Sequence, residues 1–237
     1  MQNESDDFIK DYNDIKSYLL KVSNLNYDAS FPELIDAASN NPVISKNKNL
    51  LKELHKLRNI IVHGCSDRYP AIAKVTEYSI KTINKIARHL LDPIKVTPLF
   101  QKKVYILQYE NSISEAVEIM HDRNFSQIPL YKEKEFEGLL TTNAIVRWLG
   151  SCILEELCDL KDTFINYVFE NYTECKENYV FISKGSTLFE VIEKFREFEN
   201  RGKRLDAIFI TEKGNKKESL LGIITVWDLP ELNKRLD

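Results

Sequence analysis

Gly138-Leu139-Leu140-Thr141-Thr142-Asn143-Ala144 has a counterpart later in the chain, Gly222-Ile223-Ile224-Thr225-Val226-Trp227-Asp228. In both stretches a turn glycine is followed by two apolar residues, which is typical of a short buried strand. A Thr then stands where a helix is expected to begin, and Thr is a favourable residue at that position. The two stretches therefore predict the same strand-to-helix junction at two places in the chain.

The sequences upstream of the two junctions also match each other. The helical run Glu115–Met120 is echoed by Glu190–Phe195, and the apolar run Gln127–Tyr131 is echoed by Asp206–Ile210. The second copy has longer loops between these runs, and repeats tolerate insertions in loops. Each copy is predicted to contain, in order, a strand, a helix, a strand, a hairpin, a strand and a helix.

This order resembles a tandem pair of CBS domains. The predicted fold class is α+β, with an all-helical bundle at residues 1–92 followed by two βαββα repeats at 93–160 and 161–237. The resemblance implies a protein that senses a regulatory ligand, most often an adenine nucleotide such as AMP, ADP or ATP. No further cofactor and no metal site are expected.

In CBS domains, the Thr after the closing strand and an Asp three positions later hold the ribose hydroxyls of a nucleoside. The second copy has this pair as Thr225 and Asp228. The first copy has Thr141, but Ala144 stands at the Asp position, and Asn143 comes one residue too early. The resemblance therefore implies one competent ribose site, associated with the second copy. The alternative role of Thr225 and Asp228 is a capping box at a helix start.

Further ligand-binding residues are expected in the second copy. Tyr179 and Phe181 of its first strand, together with Ile208, are predicted to form the apolar cleft for the base. The loop at 200–204 carries three cations, of which Arg204 precedes the second strand. Guanidinium groups bind phosphate well, so this loop is a candidate for contacting a polyphosphate. The alternative is a loop that is simply solvated.

Residues 1–92 are predicted to form helices because apolar residues recur at steps of three and four. The three apolar stripes are Phe8, Tyr12, Ile15, Leu19 and Val22; Leu50, Leu54, Leu57 and Ile61; and Ile72, Val75, Ile83, Ile86 and Leu90. A short additional helix is expected near Pro32–Ala38. Gly64 is expected to end the second long helix, and Pro70 to precede the third. Asp92-Pro93 marks the boundary, since a residue before proline is disfavoured in a helix.

Arg58, Asn59 and His63 lie at the predicted end of the second long helix. Their spacing resembles the R-x4-6-H motif of HEPN domains, which are all-helical and in many cases act as dimeric, metal-independent ribonucleases. The resemblance implies that His63 activates a ribose 2′-hydroxyl, that Arg58 holds the scissile phosphate and that Asn59 orients one of them. RNA is then a candidate partner, and a homodimer is expected.

An alternative follows from helix geometry. Five residues of helix rotate about 500°, so Arg58 and His63 point about 140° apart if both are helical. The two converge if the helix ends at His63 or if two subunits form the site. Otherwise Arg58 is a surface residue, and His63 is a favourable charge at a helix end. His55, His89 and His121 have no partner pattern, and each is predicted to be a surface or helix-packing residue.

Composition excludes several other classes of protein. The net charge is −3, and residues 41–95 are basic whereas residues 1–40 are acidic, so the basic segment is either a phosphate-attracting surface or a solvated helix face. The four cysteines show no C-x-x-C spacing, which favours reduced thiols. No glycine-rich phosphate loop, zinc-protease motif or nucleophile elbow is present. The acidic N-terminus and the lack of long apolar runs predict a cytoplasmic protein.

Three functions remain open at this point. The first is a nucleotide sensor whose CBS pair controls the N-terminal helical domain as a non-enzymatic effector. The second is a HEPN-type ribonuclease gated by the CBS ligand. The third is a CBS pair that binds no ligand and serves as a dimerisation scaffold.

Overall fold

A computed structural model describes residues 2–63, 74–155, 158–174 and 177–236, and it divides the chain into the units Met1–Ile94 and Lys95–Asp237. The first is called the helical unit and the second the repeat unit. Together they confirm the α+β class. Gly64, Cys65, Pro70, Ile72 and Cys175 lie outside the described residues, so the predictions made for them stay predictions.

The described residues of the helical unit form four helices. They are α1 at Gln2–Ser23, α2 at Phe31–Ala37, α3 at Pro42–His63 and α4 at Glu77–Leu91. Four of the five residues in the predicted first stripe are buried, whereas Val22 is 45% exposed. The short helix α2 starts with a complete capping box between Ser30 and Glu33. Helix α1 packs against α4 and also contacts α2 and α3.

The second and third long helices differ from the predicted ones in where they begin. Helix α3 starts at Pro42, and its buried face comprises Val43, Ile44, Leu51 and Leu54, of which only Leu54 was in the predicted stripe. The observed buried face differs from the predicted stripe because the helix begins earlier than expected and buries residues of this additional N-terminal segment. Asn41 caps the segment, since its Oδ1 accepts from the Val43 amide at 2.9 Å. Helix α4 starts after Thr76, whose hydroxyl accepts from the Ser79 amide at 3.2 Å. Val75 therefore precedes the helix.

Within residues 95–155, 158–174 and 177–236, the repeat unit forms two three-stranded sheets of the same topology. The first repeat comprises β1 Leu107–Gln108, α5 Ile113–Arg123, β2 Gln127–Lys132, β3 Glu135–Thr141 and α6 Thr142–Glu155. The second comprises β4 Tyr179–Ser183, α8 Leu188–Asn200, β5 Ala207–Thr211, β6 Gly222–Ile224, a 3-10 turn Val226–Asp228 and α9 Leu229–Leu236. In each sheet the first two strands are parallel and the last two antiparallel. The predicted repeat order is confirmed.

The repeated glycine is required by close packing in both copies. A Cβ atom on Gly138 would overlap the ring of Phe169, and one on Gly222 would overlap the backbone carbonyl of Phe100. Glycine therefore allows β3 and β6 each to lie directly against a neighbouring segment. The sequence pattern is repeated because this steric requirement is repeated.

The segment between the repeats forms a separate helix. Helix α6 spans Thr142–Glu155, and α7 spans Ile165–Tyr172. Ile165, Val168 and Phe169 are buried in the core of the first repeat. Helix α7 therefore completes the first repeat's core. None of the described helices combines the length and the hydropathy needed to cross a membrane.

Candidate ligand-binding site

The repeat unit contains a cavity of about 650 Å³ lined by both repeats. The first repeat and the segment before it contribute residues 102–105 and 124–127, Pro129 and Thr142. The second repeat contributes Ile223, Thr225, Trp227 and Asp228. This volume lies within the range of roughly 300–1,000 Å³ that is usual for small-molecule sites. We call it the repeat cavity.

Thr225 and Asp228 form the polar part of the cavity wall contributed by the second repeat. The Thr225 amide donates to Asp228 Oδ2 at 2.7 Å, and the Thr225 hydroxyl donates to the same oxygen at 3.1 Å. This is a capping box on the 3-10 turn. Both side chains are half-buried. Because both hydrogen bonds end on Oδ2, Oδ1 is the oxygen that can accept from a bound molecule.

The apolar part of the cavity comes from both repeats. Tyr105 and Phe125 lie with ring centroids 5.9 Å apart, and the guanidinium of Arg123 lies 4.8 Å from the Tyr105 centroid. Ile223 faces them from β6, and the indole of Trp227 is 81% exposed. An exposed Trp beside a cavity offers a flat surface on which another ring can stack.

Two exposed lysines of the first repeat's leading segment complete the cavity. Lys102 and Lys103 line it and supply its positive charge. Their position is set by the backbone, because the Lys102 amide donates to the Leu221 carbonyl at 3.1 Å and Gln101 forms an isolated bridge with Gly222. Neither lysine was predicted from the sequence to bind a ligand. No local pattern marks them, since their role depends on pairing with a strand more than a hundred residues later in the chain.

The structure places the expected base-binding residues elsewhere. Tyr179 and Phe181 pack around the ring of Phe136, with centroids 5.0 and 5.1 Å from it, in a cluster between the two sheets. Ile208 is fully buried. These residues were expected to share one site with Thr225, but the repeat cavity pairs the closing residues of the second repeat with the opening segment of the first. The prediction had built the site from one copy alone.

Arg204 is likewise not among the residues that line the repeat cavity. Its Nε lies 2.5 Å from Asp206 Oδ1, and its side chain is 66% exposed. Asp206 also accepts from Asn178 Nδ2 at 2.6 Å, and its backbone carbonyl accepts from Gln127 Nε2 at 2.9 Å. Arg204 therefore belongs to a polar network that links the two repeats.

The closing junction of the first repeat is arranged differently from that of the second. The Thr141 hydroxyl accepts from the Ala144 amide at 3.3 Å, so Thr141 caps α6. Ala144 is 2% exposed and belongs to the first repeat's core, whereas Asn143 is exposed. The residue that this junction contributes to the repeat cavity is Thr142 rather than Thr141 or Asn143.

In the helical unit, Arg58 and Asn59 engage His55 rather than His63. Arg58 Nη1 donates to Asn59 Oδ1 at 3.2 Å, and Asn59 Nδ2 lies 3.2 Å from His55 Nε2. His55 Nδ1 lies 2.6 Å from the Tyr12 hydroxyl. Burial is the main cause that lowers the pKa of His55, followed by the charges of Arg58 and Lys16. His63 is the exposed last residue of α3.

His55 was predicted to be a surface or helix-packing residue, and it does pack against Tyr12 of α1 and Phe31 of α2, but it also belongs to a chain of hydrogen bonds. A signal for this was present, because His55 and Asn59 are four residues apart and therefore adjacent on one helix face. Tyr12 could not have been assigned to the chain from spacing, since it comes from α1. Among the described residues, no group of His, Cys, Asp and Glu is arranged to hold a metal ion.

Comparison with known proteins identifies the repeats. The model of the CBS domain matches residues 96–151 and again residues 172–231. No curated protein matches the chain. The helical unit lies outside both matched ranges, so the HEPN resemblance stays a prediction.

Solved structures similar to this chain are distant in sequence. A Vibrio cholerae protein with a proposed role in acetoin utilization is 16% identical, with 61% of this chain and 93% of that chain covered and a TM-score of 0.46. An uncharacterized conserved protein from Pyrococcus horikoshii is 21% identical, with 60% and 94% covered and a TM-score of 0.43. A CBS domain pair crystallised with 5′-methylthioadenosine and S-adenosyl-L-methionine is 14% identical, with 61% and 99% covered and a TM-score of 0.42.

The family matches coincide with the two sheets of identical topology and with the two glycine-to-Thr junctions. Residues 96–151 and 172–231 therefore form a tandem pair of CBS domains.

Proposed function

We propose that the CBS pair binds an adenine nucleotide in the repeat cavity and that binding regulates the helical unit. The observation that carries the proposal is the composition of this cavity. A hydroxyl–carboxylate pair, Thr225 and Asp228, stands beside an aromatic wall and two lysines. A nucleotide offers ribose hydroxyls, a flat base and phosphates, so each part of the cavity has a matching part of the ligand.

The ribose is assigned to Asp228. Its Oδ2 is fixed by the amide and hydroxyl of Thr225, which orients the carboxylate before any ligand arrives. Oδ1 can then accept a ribose hydroxyl proton, and a carboxylate acceptor makes this a charge-assisted bond. Preorganisation of this kind reduces the ordering cost of binding.

The base is assigned to the apolar wall. Tyr105, Phe125 and Ile223 supply a surface that a purine can cover, and Trp227 supplies a face on which it can stack. Stacking of a nucleic-acid base on an aromatic side chain contributes about 1–3 kcal/mol. The phosphates are assigned to Lys102 and Lys103, which are the cations lining the cavity.

Regulation is proposed to arise because the ligand contacts both repeats. A molecule that contacts residues 102–105 and Thr225 together favours one relative arrangement of the repeats over others, and a ligand shifts an equilibrium by its differential affinity for two states. In a homodimer, such a shift would change how two helical units face each other. The helical unit is therefore proposed as the effector of the nucleotide signal.

The ribonuclease alternative finds less support in the geometry. It needs Arg58 and His63 to act on one substrate, whereas Arg58 is hydrogen-bonded to Asn59 and His63 lies exposed at the end of α3. The sensor hypothesis needs no such convergence, and we therefore take it as the conclusion.

The test is calorimetric titration of the full chain with AMP, ADP, ATP and S-adenosylmethionine, together with Asp228→Ala. We expect the variant to lose at least tenfold in affinity, because it removes a charge-assisted hydrogen bond worth about 1.5–3 kcal/mol. Trp227 provides a second readout, since a stacked base changes the fluorescence of its exposed indole.

The matched control is Glu190→Ala. Glu190 completes a capping box with Thr187 on α8 of the same repeat, and it does not line the cavity. Both variants lose a cap, but only Asp228→Ala removes a group from the site. Equal loss of affinity in both variants would show a stability effect instead of a binding site. Absence of binding by all four ligands to the parent chain would reject the proposal.

A further inference from the structure

A second cavity lies within the helical unit, and the CBS function does not use it. It has a volume of about 390 Å³ and is lined by residues of α1, α2, α3 and the loop between α1 and α2. Tyr12, Lys16, His55 and Arg58 supply its polar interior, and the exposed Tyr27 stands at its mouth. We call it the helical cavity.

The floor of the helical cavity is an aromatic stack. The ring centroids of Tyr12 and Phe31 lie 4.5 Å apart, and that of His55 lies 5.3 Å from Phe31 and 5.9 Å from Tyr12. Tyr12 and Phe31 are each 3% exposed. Packing of this kind holds the polar ends of Tyr12 and His55 in fixed positions.

The hydrogen bonds around His55 have a direction that Arg58 determines. A guanidinium can only donate, so Asn59 Oδ1 must be the acceptor of Arg58 Nη1, which fixes the orientation of the Asn59 amide. Asn59 Nδ2 then donates to His55 Nε2, and the proton of the neutral ring lies on Nδ1. Nδ1 in turn donates to the Tyr12 oxygen. The chain therefore ends at the Tyr12 hydroxyl, whose own proton is left for another acceptor.

Two further donors, Arg58 and Lys16, line the same cavity as the Tyr12 hydroxyl. Arg58 Nε is buried and has no hydrogen-bond partner among the described residues. The Arg58 guanidinium lies 5.5 Å from the Tyr12 ring centroid, and Lys16 lines the cavity from the next turn of α1. One carboxylate, that of the exposed Asp28, faces these two cations. Among the described lining residues, the two cations Lys16 and Arg58 therefore outnumber the single carboxylate.

We propose that the helical cavity is a binding site for a phosphate group. A phosphate supplies the acceptor oxygens that the Tyr12 hydroxyl, Arg58 Nε and the Lys16 ammonium lack, and it offsets their charge. The group can come from free phosphate or from a phosphorylated small molecule such as a nucleotide. The site uses residues of a single chain and does not involve His63.

The titration behaviour of the cavity agrees with this geometry. Burial raises the pKa of Tyr12 to about 12, so its hydroxyl keeps its proton at neutral pH. The pKa of His55 is lowered by burial and then by Arg58 and Lys16. An anion placed among these groups opposes the two positive charges and favours the imidazolium. Phosphate binding is therefore expected to move the pKa of His55 upward.

The test follows the His55 imidazole signals of the full chain by NMR during titration with inorganic phosphate, with assignment from His55→Gln. We expect saturable shifts of the His55 signals and a higher His55 pKa at saturation. Tyr12→Phe keeps the aromatic stack and removes the terminal donor. It should weaken phosphate binding about tenfold, as expected for one hydrogen bond to a charged group. Lys16→Gln should weaken it severalfold.

Tyr18→Phe is the matched control. Tyr18 lies on the same helix and its hydroxyl bonds Asn41 Nδ2 at 3.0 Å, outside the cavity. It should leave phosphate affinity unchanged. Equal affinities in Tyr12→Phe and the parent chain, or no saturable shift of His55, would overturn the proposal.

The source of the phosphate is separated by comparing inorganic phosphate with AMP in the Asp228→Ala background, which removes the ribose contact of the repeat cavity. If AMP binds more tightly than inorganic phosphate and the Tyr27→Ala substitution removes this difference, the ligand is a nucleotide whose base covers Tyr27. Equal affinities for both would identify free phosphate as the ligand. Because the readout is His55, this result is independent of whether the CBS pair binds a nucleotide.

Discussion

The two CBS repeats have closing strands of the same pattern and the same capping Thr, yet among the described residues that line the repeat cavity the carboxylate, Asp228, comes from the second repeat. In the second repeat Asp228 is half-buried at the start of a 3-10 turn and lines the repeat cavity. In the first repeat the equivalent position is Ala144, which begins the packed face of a 14-residue helix and is 2% exposed. Two junctions with the same strand and the same capping Thr can therefore place the residue three positions after the Thr in different environments.

The difference follows from what packs against each junction. Helix α6 is followed by α7, and both contribute to the first repeat's core. In the second repeat the closing strand leads into a 3-10 turn, which leaves Asp228 beside the cavity. At this position the first repeat therefore has a core residue, whereas the second has a polar residue beside the cavity.

The largest expected effect comes from placing the missing carboxylate in the first repeat. Ala144→Asp puts a charge into a core position that packs among apolar residues, and an unpaired buried charge is strongly unfavourable. We expect the free energy of unfolding to fall by about 3 kcal/mol or more. Urea denaturation followed by circular dichroism measures this change.

The neighbouring substitution Asn143→Asp is the control, because Asn143 is exposed. It should change the free energy of unfolding by less than about 0.5 kcal/mol, as is usual at the surface. If Ala144→Asp were as stable as the parent chain and bound a second equivalent of nucleotide, the two junctions would be equivalent and the comparison would fail.

A smaller difference is expected between the two repeated glycines. Gly222→Ala pushes a methyl group against the Phe100 carbonyl, which is backbone, whereas Gly138→Ala meets the ring of Phe169, which is a side chain. We expect Gly222→Ala to cost about 3 kcal/mol and Gly138→Ala about 1–2 kcal/mol, within the range for overpacking. Thermal and urea unfolding of the two variants give the comparison.

Gly150→Ala tests whether these losses are steric. A Cβ atom there meets nothing within 4 Å, and Gly150 lies inside α6. The substitution should stabilise the protein by up to about 1 kcal/mol through helix propensity. A larger loss for Gly138→Ala than for Gly222→Ala would contradict the assignment of the rigid contact to β6.

The sequence predicted the repeat architecture well because it depends on local patterns. The spacing of apolar residues, the capping Thr and the steric glycine each leave a mark within a few residues of Gly138 or Gly222. The same holds for α1, whose buried stripe was predicted apart from Val22. The start of α3 was missed because the polar run at residues 45–49 separates the buried pair Val43 and Ile44 from the apolar stripe that begins at Leu50.

The composition of the repeat cavity could be predicted only in part. Thr225 and Asp228 were identified from their own spacing, whereas Lys102 and Tyr105 reach them through pairing between distant segments. Tyr179 and Phe181 were predicted to form the cleft for the base because they lie on the first strand of the second repeat, whereas in the structure they pack between the two sheets. A site shared by two repeats is thus decided by how the repeats pack, which no short motif encodes.

The smallest expected effect on ligand affinity comes from removing the cations of the repeat unit. Lys102 and Lys103 line the repeat cavity, whereas Arg204 is engaged by Asp206. Replacing both lysines with Gln should weaken ATP binding roughly fivefold, since exposed charge contacts contribute about 0.2–1 kcal/mol each. The loss should be smaller for AMP, which has fewer phosphates, and it should shrink at high ionic strength because salt screens exposed charges. Arg204→Gln should leave the affinity unchanged in the same titrations. The opposite result, in which Arg204→Gln weakens ATP binding and the lysine variant does not, would return the phosphates to the second repeat's own loop and the site to a single repeat.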